Sequence, residues 1–212
     1  MENIKHELQN IIFSNEPVSQ GSSIQKIQNF LRRHEEAGFN FKKQQLLKSK
    51  EASALIKFAK TEGFIYNKEI LEEHFISEGA EQRVYRYDDF SIIKTNSSIF
   101  YEYWLDYFNS LLLHNYFFPS TQYDFLGFKL IDNELYAVVK QDFIISTEST
   151  NLSMVKEFLA FNGFENVRNN DYINKELGII FEDLHDENVL YNNGALFFID
   201  TVFYLQKNFI NK

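Results

Sequence analysis

Residues 181–200 read FEDLHDENVLYNNGALFFID. Asp183 is followed five positions later by Asn188 and, twelve beyond that, by Asp200. Between the last two, apolar residues flank Asn192-Asn193-Gly194, the signature of a short β-hairpin. Two registers are open. A two-residue turn at Asn193-Gly194 pairs Asn188 with Ile199 and sends Asn188 and Asp200 to opposite faces. A three-residue loop with Gly194 left-handed pairs Asn188 with Phe198 and puts both side chains on one side. The three-residue loop is expected, because an Asn and an Asp on one face can hold a hard divalent cation. Mg2+ commonly takes one or two carboxylates and completes its shell with substrate phosphates. With an Asp on the preceding loop to orient a hydroxyl, this is a donor set for phosphoryl transfer. Taken alone, the same residues are equally ordinary turn formers.

Working outward, the C-terminal third contains a helix, TNLSMVKEFLAFNG, closed by Gly163, and then three short strands. Upstream, YDFLGFKLIDNELYAVVKQDF reads as a hairpin turning at Asp132-Asn133. SSIFYEYWLDYFNSLLLHNYFF reads as one amphipathic helix capped by Ser97 or Ser98. From His74, HFISEGAEQRVYRYDDFSIIKTN alternates in short strands with a turn at Asp88-Asp89. The first third reads as helical in three pieces. Pro17 and Gly21 bracket a loop, a Ser opens SIQKIQNFLRRHEEAG, which stops at Gly38, and Gly63 ends the third piece. The fold class is therefore α+β with a mostly antiparallel sheet.

Composition narrows the function. No Cys occurs among the 212 residues, which excludes a disulfide framework, a thiolate zinc site and a Cys nucleophile. The net charge of −9 argues against general nucleic-acid binding. Between Ser22 and Lys60, nine Lys or Arg against three Glu give a surplus of six, leaving −15 on the rest. That basic segment suits an acidic partner or, more simply, a solvated helix face that complements the body. No apolar run approaches the roughly 18 residues of a membrane span, and no signal peptide is visible, so a cytoplasmic protein without membrane attachment is expected.

EDLHDENVL and FFID resemble the catalytic and metal-binding loops of protein-kinase-like enzymes, and the His two residues after the Asp resembles the antibiotic and small-molecule kinases. ISEGAEQRVYRYDDFSIIKT resembles a phosphate-covering loop followed by the strand that ends in the nucleotide Lys. With LLLHNYFFPSTQYDFLGF and YAVVKQDFI, the whole is similar to the serine/threonine/tyrosine kinase domain of polyvalent proteins of phages and mobile elements, over roughly residues 50 to 205.

The resemblance implies a two-lobed kinase-like fold. Residues 1–73 would be an N-terminal helical extension, 74–143 an N-lobe with a five-stranded antiparallel sheet, and 144–212 a minimal C-lobe. It implies ATP and Mg2+ as cofactors and a protein or small molecule as acceptor. Asp183 takes the place of the catalytic base, Asn188 and Asp200 of the metal ligands, and Lys94 of the Lys that holds the nucleotide phosphates. Gly79, Ala80 and Glu81 match the phosphate loop, with one Gly only. Glu102 is the expected partner of Lys94, with Asp106 as the alternative. Lys140, Gln141, Asp142 and Phe143 match the connection that meets adenine, Asp142 reaching toward the ribose. His185 orients the loop from behind.

Glu182 stands where many protein kinases carry Arg, so no switching by activation-loop phosphorylation is expected. After Asp200 the chain reads TVFYLQKNFINK in place of Phe-Gly and several helices. The substrate-binding part is therefore expected from the N-terminal helices or a partner, as in a fragment of a longer ancestor. Competing readings are a nucleotide-binding pseudokinase or interaction module, a nucleotidyl transferase, which would transfer the α-label, and a purely structural protein, which would show no thermal shift with ATP and Mg2+.

Overall fold

The computed structural model describes residues 2–13, 22–36 and 44–209. Three helices open the chain: α1 (Glu2–Phe13), α2 (Ser23–Glu36) and α3 (Gln44–Glu62). Ser22 caps α2, its Oγ accepting from the Gln25 N–H at 3.2 Å. α3 ends at Gly63, whose φ of 76° is the left-handed turn expected there. The loop between Pro17 and Gly21 and the stop at Gly38 lie outside the described residues.

Contacts divide the chain into two compact units. One comprises Pro17–Phe108 and Tyr123–Phe143; the other comprises Met1–Glu16, Asn109–Gln122 and Ile144–Lys212. We refer to them as the sheet unit and the loop unit.

The strands of the sheet unit are β1 (Phe75–Glu78), β2 (Gln82–Arg86), β3 (Ser91–Asn96), β4 (Asp124–Ile131) and β5 (Glu134–Asp142). They form one antiparallel sheet in the order β1-β2-β3-β5-β4. The β4–β5 turn falls at Asp132-Asn133 as expected, with φ of 51° and 67°. One face buries Tyr66, Tyr85, Ile93 and Val138. On the other, Phe128 packs against Trp104 and Phe108 at ring distances of 6.0 and 5.8 Å. Gly127 (φ 146°) permits a close approach: a Cβ there would sit 2.8 Å from the Tyr66 nitrogen and 2.9 Å from the Phe64 carbonyl oxygen. Through that gap residues 64–66 bond to the β4 backbone, Tyr66 N–H to Phe128 O at 2.8 Å and Phe128 N–H to Phe64 O at 2.7 Å. Those bonds occupy β4 backbone groups that face away from β5.

The helix expected from Ser97 onward begins later. α4 spans Trp104–Phe117, and Ser98 instead takes a left-handed turn (φ 56°), its N–H donating to Asn96 Oδ1 at 2.6 Å. Lys48 on α3 holds this stretch by donating from Nζ to the carbonyls of Ser98 (2.5 Å) and Tyr101 (2.8 Å). Glu51, also on α3, accepts the Trp104 N–H at 2.9 Å and so caps α4 from 53 residues away. Nor is α4 amphipathic: from Trp104 to His114 every residue except Asp106 is buried.

The loop unit carries α5 (Leu152–Phe161) and six short strands: β6 (Glu165–Arg168), β7 (Asp171–Asn174), β8 (Ile179–Glu182), β9 (Val189–Asn192), β10 (Ala195–Phe198) and β11 (Val202–Leu205). Four form a sheet in the order β11-β8-β7-β6, and β9 pairs with β10 alone. Asn151 caps α5 by accepting the Ser153 N–H at 2.9 Å, and Gly163 (φ 79°) closes it as expected. The β6–β7 hairpin was not legible in the sequence, because β6 is exposed along its whole length and shows no apolar alternation. Stacked rings fill the core, Phe118 on Phe198 at 4.3 Å and Phe181 on Phe203 at 4.1 Å. Among the described residues the fold is α+β, with five helices and a five-stranded antiparallel sheet, and no helix is long and apolar enough to cross a membrane.

Candidate functional site

The β9–β10 hairpin takes the two-residue turn, not the three-residue loop. Asn192 pairs with Ala195 across Asn193 (φ 46°) and Gly194 (φ 91°). Val189 pairs with Phe198, and the Ile199 N–H donates to the Asn188 carbonyl at 3.0 Å. Asn and Gly both tolerate positive φ, so the tighter turn, whose twist matches the strands, prevails. Strand alternation therefore does not aim the Asn188 side chain at a metal; the loop before β9 orients it.

That loop is tightly held. Asp183 has a φ of 65°, unusual for a residue other than Gly. Its N–H donates to Asp171 Oδ1 (3.2 Å), and the Leu184 N–H donates to Asn170 O (3.1 Å). The Asn188 side-chain amide donates from Nδ2 to the Asp183 carbonyl at 2.8 Å and to Asp183 Oδ2 at 3.0 Å. His185 Nε2 lies 3.4 Å from Asp183 Oδ1 and 3.1 Å from Asn188 Nδ2. With Nδ2 spent, Asn188 Oδ1 accepts no hydrogen bond among the described residues and is the end of the amide left for a cation.

Asp200 is delivered to the same loop by its neighbours. Ile199 is bonded to Asn188, and Val202 pairs with Glu182 across β11 and β8. The backbone thus brings Asp183, Asn188 and Asp200 to one end of the loop unit. Among the described residues, no group of three or more His, Asp or Glu could hold a metal by itself. One amide oxygen and one carboxylate suit Mg2+, which draws its other ligands from phosphate and water. Burial pushes the Glu182 carboxyl above its ordinary value, and Asp171 and Asp183 add to the shift.

Lys94 belongs to the sheet unit, in the middle of β3, and is 2% exposed. It pairs with Val84 on one side and Val139 on the other, while Ile92 pairs with Gln141. Strand alternation therefore puts Lys94, Val84, Ile92, Val139 and Gln141 on one face, the face that also carries Phe128, paired with Ala137. The Lys94 ammonium lies 5.4 Å from the centre of the Tyr123 ring. Val84, Ile92 and Val139, an apolar floor beside a buried cation, were not singled out from the sequence, although counting in twos from Lys94 finds them.

The remaining sequence-derived positions divide. Glu102 is exposed and precedes α4, whereas Asp106 sits on its first turn. Burial raises the Asp106 carboxyl to about 6; Glu102 adds to the rise, and the Tyr103 backbone N–H and Lys48 oppose it. Gly79 has no positive φ, has room for a Cβ, and donates its N–H to Gln82 O at 2.9 Å. Ala80 is exposed, and Glu81 Oε1 accepts from Asn96 Nδ2 at 3.0 Å. Gln141 is buried. Asp142, one residue on, is exposed on the opposite face, and Lys140 pairs with Asp124 at 3.4 Å. Phe143 donates its N–H to Phe90 O at 2.8 Å, with the Arg86 guanidinium 4.1 Å above its ring.

A buried strand Lys, a loop Asp fixed by a neighbouring Asn, and a second Asp after a hairpin are, in this order along the chain, the parts of a kinase-type domain. The family model described as serine/threonine/tyrosine kinase found in polyvalent proteins matches residues 48–207, and the chain belongs to that family. No match was found among curated proteins or among solved structures.

Proposed function

We propose that the chain is an ATP- and Mg2+-dependent phosphotransferase of two-lobed kinase-like architecture, passing the γ-phosphate to a hydroxyl of a protein or small molecule. The observation that carries this reading is the Asn188 amide, donating from Nδ2 to Asp183 at 2.8 and 3.0 Å, while the Asn188 backbone binds Ile199, the residue before Asp200. In this reading Asn188 and Asp200 would hold Mg2+, which when bound would neutralise charge on the phosphates. Lys94 takes the α- and β-phosphates, and Val84, Ile92 and Val139 offer the base an apolar floor. Asp183 accepts a hydrogen bond from the acceptor hydroxyl and aligns it, while Asn188 and His185 fix the carboxylate. Positioning and electrostatics supply the rate.

Incubation with γ-labelled ATP, Mg2+ and hydroxyl acceptors, or with the protein alone, tests the proposal. Transfer that disappears in Asp183→Ala supports it; α-label transfer, or transfer unchanged in that variant, overturns it. A second reading, nucleotide binding without transfer, is favoured by the Gly79 amide being taken up within its own hairpin. Binding of ATP with no transfer to any acceptor would select it.

A further inference from the structure

Asp200 is followed by Thr201, whose side chain is buried, whereas Asp200 is only partly so. Thr201 Oγ1 lies 2.7 Å from Nδ1 of His114, a fully buried residue of α4. The other ring nitrogen, Nε2, lies 2.7 Å from the Thr121 carbonyl oxygen. A carbonyl only accepts, so Nε2 carries the proton, and in the neutral ring Nδ1 accepts from the Thr201 hydroxyl. Two further bonds flank this one. Thr121 Oγ1 donates to the Phe198 carbonyl at 2.6 Å, and the Phe203 N–H donates to Ser110 Oγ at 3.0 Å. Ser110 and His114 are four residues apart and so share one face of α4. Besides its strand pairings, the segment is thus gripped at Phe198, Thr201 and Phe203, on both sides of Asp200, by polar groups from residues 110–121. All of these residues lie in the loop unit. Apolar packing would fill the same volume without fixing the chain along its length; directional bonds fix it.

We propose that Thr201 and His114 are positioning residues that set Asp200 as a metal ligand, with Ser110 and Thr121 as the outer clamps. The inference rests on the phosphotransferase reading and deepens it. The Thr after the metal-binding Asp becomes a latch, held by a histidine on a helix.

The test uses the full chain and the variants Thr201→Val, Thr201→Ser and Ser110→Ala. Tyr116→Phe serves as a control on the same helix, since it removes only a bond to Glu7. Two quantities are read: hydrogen exchange of residues 199–203 without ligand, and the Mg2+ concentration that half-saturates the thermal shift with an ATP analogue. Val should raise exchange and the Mg2+ midpoint by about tenfold each, the scale of one lost buried hydrogen bond. Ser should restore both, Ser110→Ala should shift them in the same direction, and Tyr116→Phe should leave the midpoint unchanged. If Thr201→Val does not fold, Ser110→Ala and Thr201→Ser carry the test. Wild-type exchange and a wild-type Mg2+ midpoint in Thr201→Val and Ser110→Ala overturn the latch alone. A wild-type protein with no Mg2+-dependent response to the analogue overturns the phosphotransferase reading and the latch with it.

Discussion

The loop at residues 79–81 and the loop at residues 183–188 are both assigned to phosphate chemistry, yet they are built in opposite ways. The first is the tip of an exposed hairpin. Its glycine donates once, to Gln82, and neither its backbone angle nor its surroundings require a glycine. The second holds a non-glycine residue at positive φ and is fixed from Asp171, Asn170 and Asn188. Strained backbone persists only where its surroundings over-determine it, and such places concentrate at functional sites. The contrast teaches that backbone constraint is concentrated in the loop unit's Asp and Asn, where the proposed reading puts the chemistry, and not in a glycine cradle.

The largest expected effect is on Asp183. Replacement by Ala should lower turnover about 10^2- to 10^4-fold while sparing nucleotide affinity, as removal of a proton-accepting group does. Equal losses in binding and turnover would show that the loop collapses rather than that a base is gone. Asp200→Ala should abolish the Mg2+-dependent part of nucleotide stabilisation. That part is roughly 2.7 kcal/mol for a ligand at 100 times its dissociation constant, and differential scanning of wild type and variant at matched Mg2+ reads it.

Asp106 offers an intermediate case, a carboxylate that spends stability. Folded, it holds its proton up to about 6; unfolded, it releases it near 3.8. Between those values the folded state binds more protons, so stability falls as pH rises through the window. Asp106→Asn should therefore stabilise the protein above pH 6, by about 2–3 kcal/mol at most, and the gain should vanish below pH 4. Urea titrations across pH measure it, and a gain confined to low pH would contradict the assignment. Glu51→Ala should cost about 1 kcal/mol, the ordinary value of a lost cap, by freeing the first turn of α4. Smallest of all is Gly79→Ala, expected within about 0.5 kcal/mol of wild type in stability and little changed in nucleotide affinity. A large loss of affinity there would break the contrast between the loops.

Much of the fold was legible locally. Gly63 and Gly163 end helices where a residue with positive φ was needed, and Asp132-Asn133 turns the β4–β5 hairpin. The order Lys94, Asp183, Asn188, Asp200 was legible too, since residue type and spacing survive in one dimension. Three expectations fail, each for its own reason. Ser97 and Ser98 look like helix caps, but α4 begins only where Glu51 and Lys48 of another helix fix it. In the β9–β10 hairpin, Asn193-Gly194 favours the shorter loop over the register that would put Asn188 and Asp200 on one face. β6 shows no pattern because nothing buries it.

The sequence by itself determined most of the helices, the antiparallel strands, most of the turns and the family, because periodicity, backbone preference and motif order are properties of the chain in one dimension. Only the tertiary structure decided how those groups are held. Nδ2 of Asn188 turns inward to Asp183, and a buried His114 reaches Thr201 from a helix 87 residues earlier in the chain. A side chain's hydrogen-bond partners depend on what folding brings within about 3 Å, and for His114 and Thr201 no window of neighbouring residues contains that.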